Sequence, residues 1–256
     1  MKRILLFLMA LLCVFGASSA LAQDYNTQMY FNGGYQGDVW QGPNGEYVAT
    51  GFYDGSINGV NVGPGPGSQS PGFICDDYYD NITSGEHWQA TGYQVSSLNA
   101  SNIGQTLFGN AKDWSALGLT AVQGYEALAY LANMMFTTNP NSSTQSSISQ
   151  AMWYLTSVAA GYSQSSWWNS LTTSAQNLVL MVKNTSNLSA LSTYTGLFLY
   201  TQPFNPTGPQ EMWGQINTLT VPEGGSALAY LLISTLACIG AVWQSRRRMA
   251  TSPRLS

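Results

Sequence analysis

Hydrophobic residues follow three different patterns along this chain. Uninterrupted apolar runs stand near both ends, at residues 4–15 and 227–243. Between about residues 27 and 95, apolar and polar residues alternate in short stretches, which is typical of half-buried strands. From about residue 119 the apolar positions recur at helical spacing. The pattern therefore predicts strands first and helices afterwards, between two apolar ends.

Short alternating runs predict the strands, and turn-forming residues separate them. The predicted strands are 47–53, 59–62, one that begins at Phe73, and 87–95. Asp54-Gly55-Ser56 and Asn58-Gly59 are hairpin-turn signals between the first two strands. Residues 63–72 contain repeated glycine and proline, which predicts an irregular loop.

Three helices and a late strand are predicted in the second half. The helices are 119–136, 142–160 and 174–185, and the strand is 197–201. Asn139-Pro140-Asn141 separates the first two helices, because proline cannot continue a helix. Serine and threonine before the second helix are favoured caps. Residues 202–220 are polar and rich in proline, which predicts a connector.

The N-terminus has the pattern of a secretory signal peptide. Lys2 and Arg3 precede the apolar run, which is too short for an ordinary membrane span. Ala20 and Ala22 frame a cleavage site just before Gln23. We therefore predict a cleaved signal peptide over residues 1–22.

The C-terminal apolar run predicts one transmembrane helix. Seventeen uncharged residues, 227–243, give about 26 Å of helix, at the short limit for a hydrocarbon core. Arg246, Arg247 and Arg248 follow it as the membrane stop. Arginines in a short flank stay on the cytoplasmic side, so residues 249–256 are predicted to be cytoplasmic and residues 23–221 exported.

The residues around this helix carry a resemblance. Val221, Pro222, Glu223, Gly224 and Gly225 precede the apolar helix and the arginines. This order resembles a PEP-CTERM sorting tail of the type with two glycines after the Pro-Glu pair, over residues 221–248. The resemblance implies processing near the Pro-Glu pair by an exosortase-like membrane enzyme. Proline and glycine also disfavour regular structure there, which leaves an accessible segment.

Together these predictions define the organisation of the chain. The exported domain, residues 23–201, is expected to be α+β, with a Gly/Tyr-rich β-sheet portion followed by a helical segment and a late strand. One C-terminal transmembrane helix completes the predicted fold. No internal repeat of solenoid period is visible.

Charge is sparse in the exported part. Residues 23–221 contain two lysines and eleven acidic residues, and two minus eleven gives −9. Such a domain has no face that would neutralise phosphates, so nucleic acid is excluded as a partner. Hydroxyl, amide and aromatic side chains replace the charges, a composition common among secreted proteins that contact polysaccharide or matrix proteins.

Cys75 is the only cysteine between residues 23 and 221, so no disulfide can form within that part. A lone exported cysteine has three explanations, which the sequence leaves open. It is a buried structural thiol, one half of an intermolecular bridge, or a reactive centre.

A second resemblance involves this cysteine. It rests on residues 73–77, 85–88 and 150–153. These segments resemble extracellular domains that bear the PEP-CTERM tail, which in turn resemble the thioester adhesin domain of Gram-positive bacteria. In that family a cysteine forms an internal thioester with a glutamine two residues before an Ala-aliphatic-Trp motif. Here Ser149 takes the glutamine position, and Gln150 lies about 100° further around a helix. The resemblance implies shared architecture, with Cys75 as the candidate reactive residue of a thioester alternative.

Other candidate chemistry is weaker. Asp76, Asp77 and Asp80 carry carboxylates that suit Ca²⁺, with Asp54 as a further ligand, but their spacing matches no EF-hand loop. Turn and capping roles are favoured for them, and we expect no cofactor. His87 is the only histidine, which excludes a metal site with two histidine ligands.

A carbohydrate-active enzyme remains an alternative, because paired acids for glycoside hydrolysis leave no fixed spacing. Trp167, Trp168 and the many tyrosines could stack on sugar rings, although aromatic residues more often serve packing. The preferred hypothesis is a non-enzymatic envelope or matrix protein of a Gram-negative-type bacterium. It is expected at the inner membrane first, then at the cell surface or outside the cell, in contact with extracellular polysaccharide or a matrix protein.

Overall fold

The computed structural model describes residues 25–64, 68, 70–80, 82–138, 140–184, 186, 188–202 and 210–215. Its strands are β1 Tyr25–Tyr35, β2 Val39–Gln41, β3 Tyr47–Ala49, β4 Tyr53–Ile57, β5 Val60–Val62, β6 Phe73–Cys75, β7 His87–Gln94, β8 Phe198–Thr201 and β9 Met212–Gly214. Its α-helices are α1 Ala121–Thr138, α2 Ser142–Ala159, α3 Gln164–Ser170 and α4 Thr173–Lys183. Short 3-10 turns occur at Val95–Ser97, Ile103–Gln105, Trp114–Leu117 and Leu191–Thr193.

Six antiparallel strands close into a β-barrel. Their order around it is β1-β7-β8-β9-β6-β4, and β4 pairs in turn with β1. The long strand β1 makes this closure possible, because Met29 pairs with Trp88 of β7 on one side and with Ile57 of β4 on the other. The hairpin strand β5 extends from β4, and β2 and β3 form a separate two-stranded sheet.

Side chains alternate between the inside and the outside of the barrel, as strand geometry requires. The inside is filled by apolar residues, among them Met29, Phe73, Cys75 and Met212. The interior of the barrel is therefore a packed apolar core.

The helices cover part of the outer surface of the barrel. Ile74, Leu199 and Trp213 lie side by side on neighbouring strands and belong to the larger apolar cluster that the helices share. Helix α2 is the most enclosed, since its residues from Gln145 to Ala159 are all buried. Asn141 caps it by accepting a hydrogen bond from the Thr144 N–H.

The predicted α+β fold class is wrong, because the sheet closes into a six-stranded barrel with four helices packed on it. Closure depends on β1, which sequence patterning missed. Its apolar positions Met29 and Phe31 are followed by Asn32, Gly33 and Gly34, residues that disfavour a strand. Pairing on both sides stabilises the strand despite that composition.

Several local predictions need correction as well. The strand predicted over 47–53 is two strands, separated at Gly51, whose φ is +87°. The turn predicted at Asp54-Gly55-Ser56 lies inside β4, whereas Asn58-Gly59 does form a hairpin turn, with both residues at positive φ. The connector predicted over 202–220 contains β9, which the proline-rich sequence before it obscured.

The sorting tail, the signal peptide and the predicted membrane helix at 227–243 lie outside the described residues. Within the described ranges, no helix combines the length and apolar character needed to traverse a bilayer.

Candidate functional site

The segment Asp76–Asp80, which follows β6, places acidic groups on two sides of the barrel wall. Consecutive residues of an extended chain point in opposite directions. Asp76 therefore faces the helices, and Asp77 faces one end of the barrel. The two neighbouring carboxyl groups consequently have different surroundings and different chemistry.

Asp76 is fully buried beside a second buried acid, Glu211. Asp76 Oδ2 accepts a hydrogen bond from the indole N–H of Trp213 at 2.6 Å. Glu211 Oε1 accepts one from the Tyr125 hydroxyl at 2.7 Å, and Oε2 accepts one from the Leu107 N–H at 3.0 Å. Asp76 Oδ1 accepts a hydrogen bond from no donor among the described residues. The group that faces the Asp76 carboxyl for hydrogen bonding is another acid, the carboxyl group of Glu211. One of the two acids must therefore carry a proton.

The surroundings assign that proton to Asp76. Burial raises the pKa of Asp76 well above its usual value, and the negative charge of Glu211 raises it further. Burial also raises the pKa of Glu211, but hydrogen bonds from Thr201, Tyr125 and Leu107 partly offset that effect. Protonated Asp76 thus donates to the Glu211 carboxylate, which joins the start of β9 to the end of β6.

Asp77 is 6% exposed and lies at the barrel end. Its Oδ1 accepts hydrogen bonds from the Tyr79 N–H at 3.0 Å and the Asp80 N–H at 3.4 Å. Burial raises its pKa, and the neighbouring Asp80 carboxyl raises it further. Asp77 borders two cavities, one at the end of the barrel and one beside α2. It is therefore a polar group shared by two potential ligand sites.

The first cavity, which we name the aromatic cleft, has a volume of about 330 Å³. It lies where β1 and β6 end and where β4 and β9 begin. Its aromatic lining is Phe31, Tyr35, Tyr47, Tyr53, Tyr78 and Trp153. Tyr47 and Tyr35 are 73% and 45% exposed, respectively. Exposed rings beside a concave surface favour contact with another molecule.

Polar groups in the aromatic cleft are few and specific. They include Asp77, Ser84 and Gln210. The side-chain Oε1 of Gln210 is buried and accepts no hydrogen bond from any residue the structure describes. Apolar walls with a small number of polar groups are the usual composition of a ligand site.

A cluster of packed aromatic rings supports the floor of the cleft. Tyr78 contacts Trp153 edge-on at 5.7 Å and Trp167 at 4.8 Å between ring centroids. Trp40 packs on the same group, 6.0 Å from Trp153. Such edge-on contacts fix ring orientation. The rings beneath the cleft are therefore closely packed against one another.

Cys75 lies inside the barrel and is 1% exposed. Its thiol donates to the Asp77 carbonyl at 2.9 Å, and its sulfur accepts from the Asp77 N–H at 3.2 Å. Burial raises the pKa of Cys75, and the charges of Asp77 and Asp76 raise it further. The group is thus a buried thiol, whereas reactive cysteines need an ionised, accessible sulfur.

The structure does not bring Cys75 and Gln150 together. Gln150 donates from Nε2 to the Ser146 hydroxyl at 3.1 Å, and its Oε1 accepts from the Thr172 N–H at 3.0 Å. Ser149 accepts from the Gly51 N–H at 2.9 Å. The amide of Gln150 therefore has structural partners on the helical side, while the thiol lies in the barrel interior.

The other sequence candidates also have structural roles. Trp167 is 1% exposed and belongs to the aromatic cluster, which is the packing role that the sequence favoured over stacking on sugar. His87 stacks on Tyr30 at 4.4 Å. Among the residues that the structure describes, no three His, Cys, Asp or Glu side chains are grouped to hold a metal ion.

Sequence reasoning did not single out the tyrosines that line the cleft. Tyr35, Tyr47 and Tyr53 come from three different strands, so no local spacing links them. Their only signal was the high tyrosine content, 15 residues in the whole chain. Glu211 was also missed as a partner of Asp76, because it lies in the predicted connector.

Comparison with known proteins gives no precedent for the chain: no family model, no curated protein and no solved structure matches it. Function is therefore inferred from the residues of the site itself.

Proposed function

We propose that this protein is an exported envelope or extracellular-matrix protein that binds a polysaccharide at the aromatic cleft without altering it chemically. The observation that carries the proposal is the combination of exposed tyrosine rings and a few buried polar groups at one end of the barrel. Flat aromatic faces pack on the C–H faces of sugar rings, and amide and carboxyl groups bind their hydroxyls.

Binding is favoured over hydrolysis by the arrangement of acids. Glycoside hydrolases place two carboxyl groups on opposite sides of the scissile bond, about 5–9.5 Å apart. Asp77 is the one acid among the described residues that line the aromatic cleft, and its neighbour Asp80 lies on the same segment. This arrangement offers hydrogen bonds to a glycan and lacks an opposed pair.

Export and sorting belong to the same proposal. The signal peptide before Gln23, the motif Val221–Gly225 and the cluster Arg246–Arg248 support delivery through the inner membrane, followed by processing in an exosortase-like system. A surface-delivered protein with net negative, aromatic-rich character suits a polysaccharide matrix. We propose the same sequence of events for localisation: membrane-anchored first, then cell surface or extracellular.

The binding proposal predicts a selective loss of affinity when the exposed rings are removed. Tyr47→Ala and Tyr35→Ala should each weaken binding of the purified protein to neutral polysaccharide about tenfold, because a stacked aromatic ring contributes on the order of 1–1.5 kcal/mol. Isothermal titration with soluble oligosaccharides measures the change. Both residues are exposed, so the free energy of unfolding of each variant should stay within about 0.5 kcal/mol of that of the parent protein.

Leu180→Ala is the matched control, because Leu180 is 57% exposed and lies on α4, away from the cleft. It should leave glycan binding unchanged. The proposal fails if no polysaccharide binds, or if the tyrosine variants and the control behave alike. New reducing ends on the polysaccharide after incubation with the parent protein would show hydrolysis. That result would support the carbohydrate-active enzyme over the binding protein.

The sorting proposal predicts processing at the Pro-Glu pair. In the native host, intact-mass measurement should find a mature C-terminus near Pro222–Glu223. Replacing both residues by alanine should leave the chain unprocessed and in the membrane fraction, because the accessible recognition segment is lost. A parent protein that still ends at Ser256 would mean a plain membrane anchor and no sorting.

A further inference from the structure

The second cavity that Asp77 borders has a different chemical character, and we name it the acidic pocket. It has a volume of about 400 Å³ and lies between the Asp76–Asp80 segment, the C-terminal part of α2 and the segment around residues 107–113. Three acids line it, Asp77, Asp80 and Asp113, against one base, Lys112. Acidic groups therefore outnumber basic ones in its lining, which favours a cationic ligand.

A buried hydroxyl without a protein partner faces the same pocket. Ser157 lies on α2 and is 2% exposed, yet its Oγ has no hydrogen-bond partner among the described residues. Serine in a helix commonly bonds to a backbone carbonyl one turn earlier, and Ser157 does not. A buried polar group left unpaired is unfavourable unless a ligand or water supplies the missing hydrogen bond. This observation is independent of the acids and marks a position for a ligand's polar atom.

An aromatic platform forms one wall of the pocket. The rings of Tyr79 and Tyr162 stack with centroids 3.7 Å apart and planes 15° apart. Tyr79 is fixed further, because its hydroxyl accepts a hydrogen bond from the Trp167 indole at 3.1 Å. Tyr162 is 45% exposed, so the platform is accessible from solvent. Ring faces attract both cations and the C–H groups of sugars.

These features distinguish an ammonium group from a metal ion. Asp77 Oδ1 already accepts two backbone hydrogen bonds, and the carboxyl groups of Asp77 and Asp80 are hydrogen-bonding neighbours, so an ammonium could lie against both of them. Calcium requires six to eight oxygen ligands, and no group of three or more acids suited to a metal is found in the described ranges. An ammonium needs three acceptors, and Asp77, Asp80 and Ser157 provide that number.

We propose that the acidic pocket binds a cationic amino sugar, with its ammonium group on Asp77, Asp80 and Ser157 and its ring on the Tyr79–Tyr162 pair. An amino sugar combines the two features that the pocket recognises, a charged amine and an apolar ring face. The inference rests on the proposed function in that both cavities take glycan units, and Asp77 is their common wall. A polymer with neutral units and occasional free amines would occupy both.

The test measures binding of three soluble probes to the purified protein: a glucosamine oligomer, its fully N-acetylated counterpart and a lysine tetrapeptide. The glucosamine oligomer should bind about tenfold more tightly than the acetylated one. Its ammonium group can form charge-assisted hydrogen bonds, which are about twice as strong as the neutral hydrogen bonds of an acetylated amine. Equal binding of the two oligomers would overturn the proposal. Tighter binding of the lysine peptide than of the glucosamine oligomer would mean a protein partner and would also overturn it.

Two variants connect the preference to the pocket. Asp80→Asn should lower the affinity for the glucosamine oligomer about tenfold and leave the acetylated oligomer unaffected. Ser157→Ala should lower the same affinity by a smaller factor. Its free energy of unfolding should stay equal to that of the parent protein or rise, because the change removes an unpaired buried hydroxyl. A purely structural role for Ser157 would leave affinity unchanged, so that result contradicts the proposal.

The two proposals fail separately. Tyr47→Ala acts on the aromatic cleft and should weaken both oligomers by a similar factor. If Tyr47→Ala weakens binding but Asp80→Asn does not, the protein binds glycans and the acidic pocket does not take the amine. If calcium displaces the glucosamine oligomer at equal concentration, the pocket is a cation site without sugar specificity, which also contradicts the proposal.

Discussion

Replacing Asp76 by asparagine is expected to stabilise the protein at neutral pH and to weaken the dependence of its stability on pH. Asparagine keeps the shape of the protonated acid: its Oδ1 accepts from Trp213, and its Nδ2 donates to Glu211. It cannot ionise, so the folded state no longer has to retain a proton that the unfolded chain releases at neutral pH. Thermal unfolding of the parent protein and the variant at about pH 5 and pH 8 measures the effect.

The sign of the pH dependence follows from the raised pKa of Asp76. In the unfolded chain this carboxyl loses its proton near pH ~3.9, whereas the folded protein retains it to higher pH. As pH rises above that value, the free energy of unfolding falls, by up to about 1.4 kcal/mol per pH unit for one proton. The stability contribution is present below about pH 4 and is lost as pH rises through the folded pKa. The parent protein should therefore be more stable at pH 5 than at pH 8.

Glu211→Gln is the matched control, because the same chemical change should have the opposite result. The Glu211 carboxylate accepts from Tyr125, Leu107 and Asp76. An amide would turn an N–H towards one of these donors, and losing bonds to a charged group costs about 1.5–3 kcal/mol. Destabilisation by Asp76→Asn at both pH values would contradict the assignment of the proton to Asp76.

The same direction applies to other acids of the domain. Burial also raises the pKa of Asp54, Asp77 and Glu126. Each of them retains its proton to higher pH in the folded state than in the unfolded state. These acids also make the folded protein more stable at pH 5 than at pH 8. Asp76→Asn should therefore reduce this difference in stability without abolishing it.

The helices were predictable from the sequence because their signals are local. The spacing of Tyr125, Leu128, Ala132 and Met135 predicted the first helix at 119–136, and the structure has it at Ala121–Thr138. All four residues are buried. The second helix, predicted over 142–160, ends one residue earlier, at Ala159. Periodicity within one segment is sufficient for such predictions.

Barrel closure was not predictable, because it depends on residues far apart in the chain. Strand β1 must pair with both β4 and β7, and β9 must enter between β6 and β8. The Met212–Gly214 strand has three residues, too few to show alternation. Its position is fixed by contacts such as that between Trp213 and Asp76, 137 residues apart.

The candidate site was partly visible in the sequence. The acids Asp76, Asp77 and Asp80 stood out as a group, and a structural role was preferred to a calcium site. Local patterning does not show that Asp76 and Asp77 face opposite sides, since that depends on where β6 ends. The tyrosines of the aromatic cleft could not be recognised as a group from the sequence, because they lie on different strands that only the closed barrel brings together.

Truncating Trp213 to alanine should have the largest effect on folding. Trp213 is 0% exposed, lies between Ile74 and Leu199 on neighbouring strands, and packs 6.2 Å from the Tyr125 ring. Removing a buried tryptophan costs about 3–5 kcal/mol, a large part of the 5–15 kcal/mol that typically stabilises a domain. The change also leaves Asp76 Oδ2 without its donor. Urea unfolding should therefore show a much lower midpoint or no folded baseline.

Two further variants separate packing from hydrogen bonding. Trp213→Phe keeps most of the apolar volume and loses the indole N–H, so it should cost less, about 1–3 kcal/mol. Tyr47→Ala removes a large ring that is 73% exposed and should change stability little. If Trp213→Ala were as mild as Tyr47→Ala, β9 would not be an essential strand. The barrel would then not depend on closure between β6 and β8, because the residue that joins them on the outer face would be dispensable.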